Sequence, residues 1–172
     1  PSSLSTIPYQ CFYGLNATGN VYIYSDTVGE EAFANAIFGN DVVFSCNTIG
    51  YKSFNAASFE NKDLDLTYVD EIACQAFYES NVESVVFKSG VVLGDSSCGN
   101  GSFDGCKDLH TVTFNGSATI GMFSFYNCGS LSSVTFNGDT SIYKDAFRYN
   151  SLKDINIEGT GVRVSRYSES FD

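Results

Sequence analysis

Positive charge is scarce in this chain: nine Lys and Arg stand against 20 Asp and Glu in 172 residues, for a net charge of -11 at pH 7. That balance repels phosphate backbones and anionic lipid surfaces, so no nucleic-acid partner is expected. Long apolar runs are also missing. None approaches the roughly 20 residues that cross a bilayer, so no membrane insertion of this segment is expected. The chain opens on Pro1 with neither a basic nor an apolar leader region, and reads as a mature or trimmed segment.

Histidine occurs once, at His110. A catalytic histidine needs a nucleophile or carboxylate in reach, and no Ser or Cys here has the context of a nucleophile elbow. His110 therefore reads as structural. Six cysteines are few for a disulfide-dependent fold, and they form no CxxC pair or Cys/His cluster. No metal, no cofactor and no enzymatic activity are expected. Glu30-Glu31 and Asp70-Glu71 lack the Asp-rich spacing of a calcium loop and read as solvated charge. The glycines around Gly94 to Gly101 are followed by no Lys-Ser/Thr, so they form a turn-rich bulge and not a phosphate loop.

What the chain does have is enough apolar residue, 43%, to bury a core, and a repeat that organises it. Ile120 to Phe125 and Ile142 to Phe147 share one form: an aliphatic residue, usually Gly, two variable residues, a small residue, then Phe. It recurs at Ile7 to Phe12, Val28 to Phe33, Ile49 to Phe54 and Ile72 to Phe77, and more weakly at Cys98 to Phe103 and before Phe171. Taking Phe12, Phe33, Phe54, Phe77, Phe103, Phe125, Phe147 and Phe171 as register marks, the spacings run from 21 to 26 residues. The residue before each mark is small: Cys11, Ala32, Ser53, Ala76, Ser102, Ser124, Ala146 and Ser170. Stacked coils about 4.8 Å apart explain this, because a slot that is narrow in one coil is narrow in all.

The other half of each repeat reads as a strand. Leu109 to Gly116 and Leu131 to Gly138 match nearly residue for residue, with the Val-x-Phe alternation of a half-buried strand. Counterparts are Val21 to Ile23, Val42 to Phe44, Val85 to Phe87 and Ile155 to Ile157, with a looser one at Leu64 to Leu66. The expected architecture is an α/β-type but mostly β repeat solenoid. It would be a right-handed leucine-rich-repeat coil of about eight repeats, with one parallel sheet and short turns or 3₁₀ segments opposite. Residues 1–172 would form a single domain, and its uncapped ends suggest a piece of a longer array.

The small-Phe pair, followed in two coils by Cys106, Leu109, Val112 and Phe114 and by Cys128, Leu131, Val134 and Phe136, resembles the BspA-like leucine-rich-repeat family. Phe59 and the Asp63 to Leu66 stretch fit that pattern poorly, and Pro is nearly absent. The resemblance implies a surface or secreted protein that adheres to proteins or cells. It does not name the ligand, because function resides in a site grafted on the fold.

Binding is expected on the outward face of the sheet, at Tyr22, Tyr24, Asp65, Lys88, Thr111, Thr113, Asn115, Ser133, Thr135, Asn137, Asn156 and Glu158. A protein or glycan ligand suits this polar face with aromatics at one end. The sequons at Asn16, Asn100 and Asn115 are candidate glycosylation sites on an exported chain. Cys106 and Cys128 share one offset in adjacent coils, as either a disulfide or stacked buried thiols. Cys11 and Cys98 read as packing residues, while Cys46 and Cys74 have no assigned place. The alternative to a binding module is a structural protein whose open terminal coils associate end to end.

Overall fold

The computed structural model describes residues 4–95, 97–159 and 161–164; the register mark Phe171 with its neighbour Ser170 lies outside them. The described residues form a parallel β-solenoid of about seven turns with no helix. The expected sheet of Val-x-Phe strands is present in part, as Asp63–Leu66, Ser84–Phe87, Thr111–Phe114, Ser133–Phe136 and Asp154–Ile157, all parallel and in register, while Val21–Val28 and Val42–Ser45 pair with each other outside it. It has two companions that the sequence reading did not anticipate.

The longest ladder uses the aliphatic residue that opens most small-Phe motifs, with Leu93 and not Cys98 serving the coil of Phe103. It runs through Leu4–Ile7, Val21–Val28, Thr48–Ile49, Glu71–Ile72, Val91–Leu93, Ala118–Ile120, Thr140–Ile142 and Val162–Val164. A third ladder, Asn16–Ala17, Ile37–Phe38 and Ser58–Phe59, covers only the first coils. Asn81 closes it with its side chain: Oδ1 accepts the Phe59 N–H at 2.7 Å and Nδ2 donates to the Phe59 carbonyl at 3.1 Å. The amide thus takes the place of a fourth strand.

The small-Phe segments are turns and not 3₁₀ helix. In several coils the residues two before and two after the Phe are left-handed: Glu31 and Asn35, Lys52 and Ala56, Gln75 and Glu79, Phe123 and Asn127, Asp145 and Tyr149, with φ between 52° and 60°. Each costs about 1–2 kcal/mol outside glycine. The geometry turns alternate N–H groups along the solenoid axis, where they find carbonyls in the next coil. Phe33 donates to Ser53 at 2.8 Å, Phe54 to Ala76 at 2.7 Å, Phe77 to Ser102 at 2.8 Å and Phe125 to Ala146 at 2.7 Å. A turn that would otherwise bury unpaired backbone is thereby satisfied from coil to coil.

The same turn drives each Phe inward and leaves no room beside it. Ala32, Ser53, Ala76, Ser102, Ser124 and Ala146 are fully buried, which is why the slot admits only small side chains. Serine is tolerated because its hydroxyl finds a carbonyl: Ser53 Oγ donates to Gly50 O at 2.7 Å and Ser124 Oγ to Gly121 O at 2.8 Å. Phe33, Phe54, Phe77, Phe103, Phe125 and Phe147 then stack as one column with ring centroids 4.8 to 5.4 Å apart. Asp63–Leu66, which fits the repeat poorly in sequence, alternates exposed and buried like its neighbours, with Leu64 and Leu66 filling the core.

Two cysteine readings need correction. Cys11 is exposed, because its coil is the first described and its Phe12 is itself 42% exposed. Cys98 does not merely pack: it is disulfide-bonded to Cys74 of the preceding coil, with Cα atoms 5.8 Å apart.

Candidate binding face

Inward Ile23, Phe44, Leu64, Leu66, Val85, Phe87, Val112, Phe114, Val134 and Phe136 fix the register of the Val-x-Phe strands, because a one-residue slip would put every one of them in water. Their alternates are presented outward in columns. Asp65, Val86, Thr113, Thr135 and Asn156 lie side by side across one row, and Asp63, Ser84, Thr111, Ser133 and Asp154 across the next. Asn115, Asn137 and Glu158 continue the pairing past the strand ends, donating to Phe87, Phe114 and Phe136 at 3.0, 3.0 and 2.9 Å. The five-stranded sheet brings Asp65, Thr111, Thr113, Ser133, Thr135 and Asn156 together, with Asn115, Asn137 and Glu158 at its strand ends, whereas Tyr22 and Tyr24 lie on Val21–Val28, which pairs with Val42–Ser45 outside that sheet. Exposure varies among the expected residues: Tyr22, Tyr24, Asp65, Thr111, Asn115, Asn137, Asn156 and Glu158 are exposed, while Lys88, Thr113, Ser133 and Thr135 are half-buried.

At the N-terminal end of this face Tyr22 and Tyr24 are 55% and 60% exposed, with ring centroids 6.1 Å apart and planes within 7°. Exposed Val43 pairs with Tyr22 in register, and Asn20 Nδ2 donates to the Tyr22 hydroxyl at 3.5 Å. On the five-stranded sheet a shallow hollow of about 210 Å³ is lined by Asp63, Leu64, Asp65, Thr67, Ser84 and Val86.

The charges here are largely engaged. Ser84 Oγ donates to Asp63 at 2.6 Å, Thr67 donates to Asp65 through both N–H and hydroxyl, and Lys88 pairs with Asp70 at 2.6 Å. What remains for a ligand is aromatic and aliphatic surface at one end and hydroxyl and amide groups at the other.

The remaining sequence candidates scatter. Asn16 and Asn115 are exposed, whereas Asn100 is half-buried. His110 is exposed on the strand edge, its backbone N–H donating to Glu83 O at 2.8 Å. Cys106 and Cys128 are free and buried, and each thiol donates to the carbonyl of a Phe one coil back: Cys106 Sγ to Phe77 O at 3.0 Å and Cys128 Sγ to Phe103 O at 3.1 Å. Burial pushes the Cys106 thiol up to about 12 and Cys128 well above its ordinary value, so neither is a nucleophile.

Sequence reading missed an aromatic cluster on the turn edge. Phe123 meets Tyr126 edge-on at 5.3 Å, Tyr126 meets Tyr149 at 5.2 Å, and the Arg148 guanidinium lies 4.9 Å from the Tyr149 ring. These residues sit in the variable positions around the Phe register marks, where the repeat gives no signal.

The fold and its ladders define a helix-free parallel β-solenoid among the described residues. A direct match gives the family. The model described as BspA type leucine rich repeat region matches residues 1–98 and 70–170 with six copies, and the chain belongs to that family. No curated protein and no solved structure matches the chain. No helix among the described residues is long and apolar enough to cross a membrane.

Proposed function

We propose that this chain is an extracellular, cell-surface binding module that adheres to a protein or glycan ligand through the outward face of its Val-x-Phe sheet. The observation that carries the reading is the exposed Tyr22–Tyr24 pair next to Val43, at the head of columns of Thr, Ser and Asn whose carboxylate neighbours are already hydrogen-bonded. Rigid aromatics give contact area at low entropic cost, and hydroxyls and amides adapt their hydrogen bonds to a partner. Membership of a surface-associated repeat family supports the location. On an exported chain the exposed sequons at Asn16 and Asn115 would carry glycan, and Asn115 would then bound the face. Saturable binding of labelled protein to cells, matrix-protein arrays and glycan arrays tests the reading. Loss of that binding in a Tyr22→Ala, Thr113→Asp, Thr135→Asp variant that keeps its melting temperature is the expected result. Unchanged binding would remove the sheet face from consideration.

A second reading, end-to-end assembly, draws on the other apolar surface. A hollow of about 250 Å³ at the first described coil is lined by Ile7, Phe12, Leu15, Val21, Ile23 and Phe33, together with Tyr22 and Tyr24. Sedimentation across a hundredfold concentration range separates the two. Growth into long species that Phe12→Asp abolishes would favour assembly; a monomer at every concentration would leave the binding module.

A further inference from the structure

The longest interval of the repeat carries chemistry that neither reading uses. Cys74 and Cys98 come from adjacent coils, and Asp95 stands in the bulged loop between them; the two sulfurs and a carboxylate oxygen lie within 4.8 Å of one another. Gly94 makes the space into which they converge. A β-carbon placed there would lie 2.9 Å from Cys98 Sγ, 3.5 Å from Ser102 Oγ and 3.9 Å from Cys74 Sγ, and Gly94 is left-handed at φ +55°. Two further details suit a bound cation. The Asp95 backbone N–H donates to Cys98 Sγ at 3.3 Å, a bond that favours an electron-rich sulfur. Ser97 fixes the carboxylate by donating to Oδ1 with both N–H and hydroxyl at 2.6 Å.

From this convergence we infer that Cys74, Cys98 and Asp95 form a site for a soft divalent cation, such as zinc or cadmium, that is closed as a disulfide and opened by reduction. The site departs from the expectation of no metal drawn from cysteine spacing, because its two cysteines lie 24 residues apart and meet only through the coil stacking. Opening is a two-electron step. A dithiol delivers two electrons and two protons, leaves as its cyclic disulfide, and converts the S–S bond into two thiols. The metal then displaces both thiol protons to solvent, and the thiolates with Asp95 supply three of four tetrahedral positions. Ser102 Oγ, which donates to Ile72 O at 3.1 Å, or water takes the fourth. The Cα separation of 5.8 Å needs little change, since side-chain rotation alone brings the sulfurs to the ~3.8 Å spacing of a metal dithiolate.

Cadmium titration of the full chain, reduced with dithiothreitol and desalted without oxygen, tests the site through the thiolate-to-cadmium charge-transfer band in the ultraviolet. In a Cys11→Ser background, which removes the exposed free thiol, saturation at a single ion per chain is expected in the reduced protein and no band in the oxidised protein, which controls for the fold. Asp95→Ala should weaken binding by ~10-fold or more, and Cys74→Ser should abolish the band. A band that survives in Cys74→Ser, or that Asp95→Ala leaves unmoved, would overturn the assignment, as would a reduced, folded chain that gives none.

Discussion

The rings of Phe77 and Phe103 stack 4.8 Å apart with planes within 4°, the shortest spacing in the column, although the longest interval of the repeat lies between them. The additional residues are accommodated outside the core, in the bulge pinned by the disulfide between Cys74 and Cys98. Gly101 permits the close return of the chain, since a β-carbon there would collide with the backbone of Phe123 and Ser124. The column is therefore continuous where the sequence is least regular. Phe103→Ala should cost about 3–5 kcal/mol, the range for emptying a buried aromatic site. Phe12→Ala, at the half-exposed end, should cost under about 1 kcal/mol. Urea unfolding of both variants checks the contrast, and equal losses would show that the column does not carry the stability.

The narrow slot before each Phe gives a second prediction. Ala76 is fully buried, and its carbonyl accepts the Phe54 N–H at 2.7 Å. A larger side chain must push that inter-coil bond apart. Ala76→Leu should destabilise by about 1–3 kcal/mol or more through overpacking, while Ser53→Ala should lose only the ~0.5–1.5 kcal/mol of a satisfied hydroxyl. Thermal melts of the two variants would rank them in that order if packing rules the slot.

These two positions show what was legible in the sequence. Small residues stand before each Phe mark, and an apolar-x-apolar alternation recurs in the strand halves, so most of the core and its register could be read from spacing, although Ile155 and Ile157 of the last such strand are exposed. The long ladder escaped at Ile49, Ile72 and Ile120 because those strands are only two or three residues long, too short for an alternation to show. The left-handed turns escaped because Glu31, Lys52 and Phe123 share no residue type; inter-coil hydrogen bonding, not glycine, holds their backbone. Cys74 and Cys98 escaped because the insertion shifts them out of any common offset.

Thiol accessibility follows from burial. Among the free cysteines Cys11 is exposed and Cys46, Cys106 and Cys128 are buried. Loss of hydration raises Cys46 to about 11 and Cys106 to about 12. An aromatic disulfide reagent at pH 8 should label Cys11 alone in the folded protein and the other three only in denaturant. Rapid labelling of Cys128 without denaturant would contradict the close packing of its column.

Asp104 offers the sharpest pH dependence. It is 7% exposed on the turn after Phe103, and burial, with the charge of Glu79 adding to it, lifts its carboxyl from 3.8 to about 6. Tyr78, Tyr126, Cys106 and Cys128 also face it and none brings a positive charge. An acid raised in the folded state contributes stability that is whole below about pH 4 and is lost as pH climbs through about 6. The ceiling on that loss is ~3 kcal/mol, and water at the carboxylate edge should reduce it to about half. Asp104→Asn imitates the protonated form. It should raise the melting temperature at pH 7.5, leave it unchanged at pH 4, and flatten the decline between. Glu79→Gln should reproduce a smaller part of the gain. A variant equally stabilised at both pH values would mean that the amide packs better and that charge is not the cause; a loss at pH 7.5 would mean that the ionised carboxylate has a partner worth keeping.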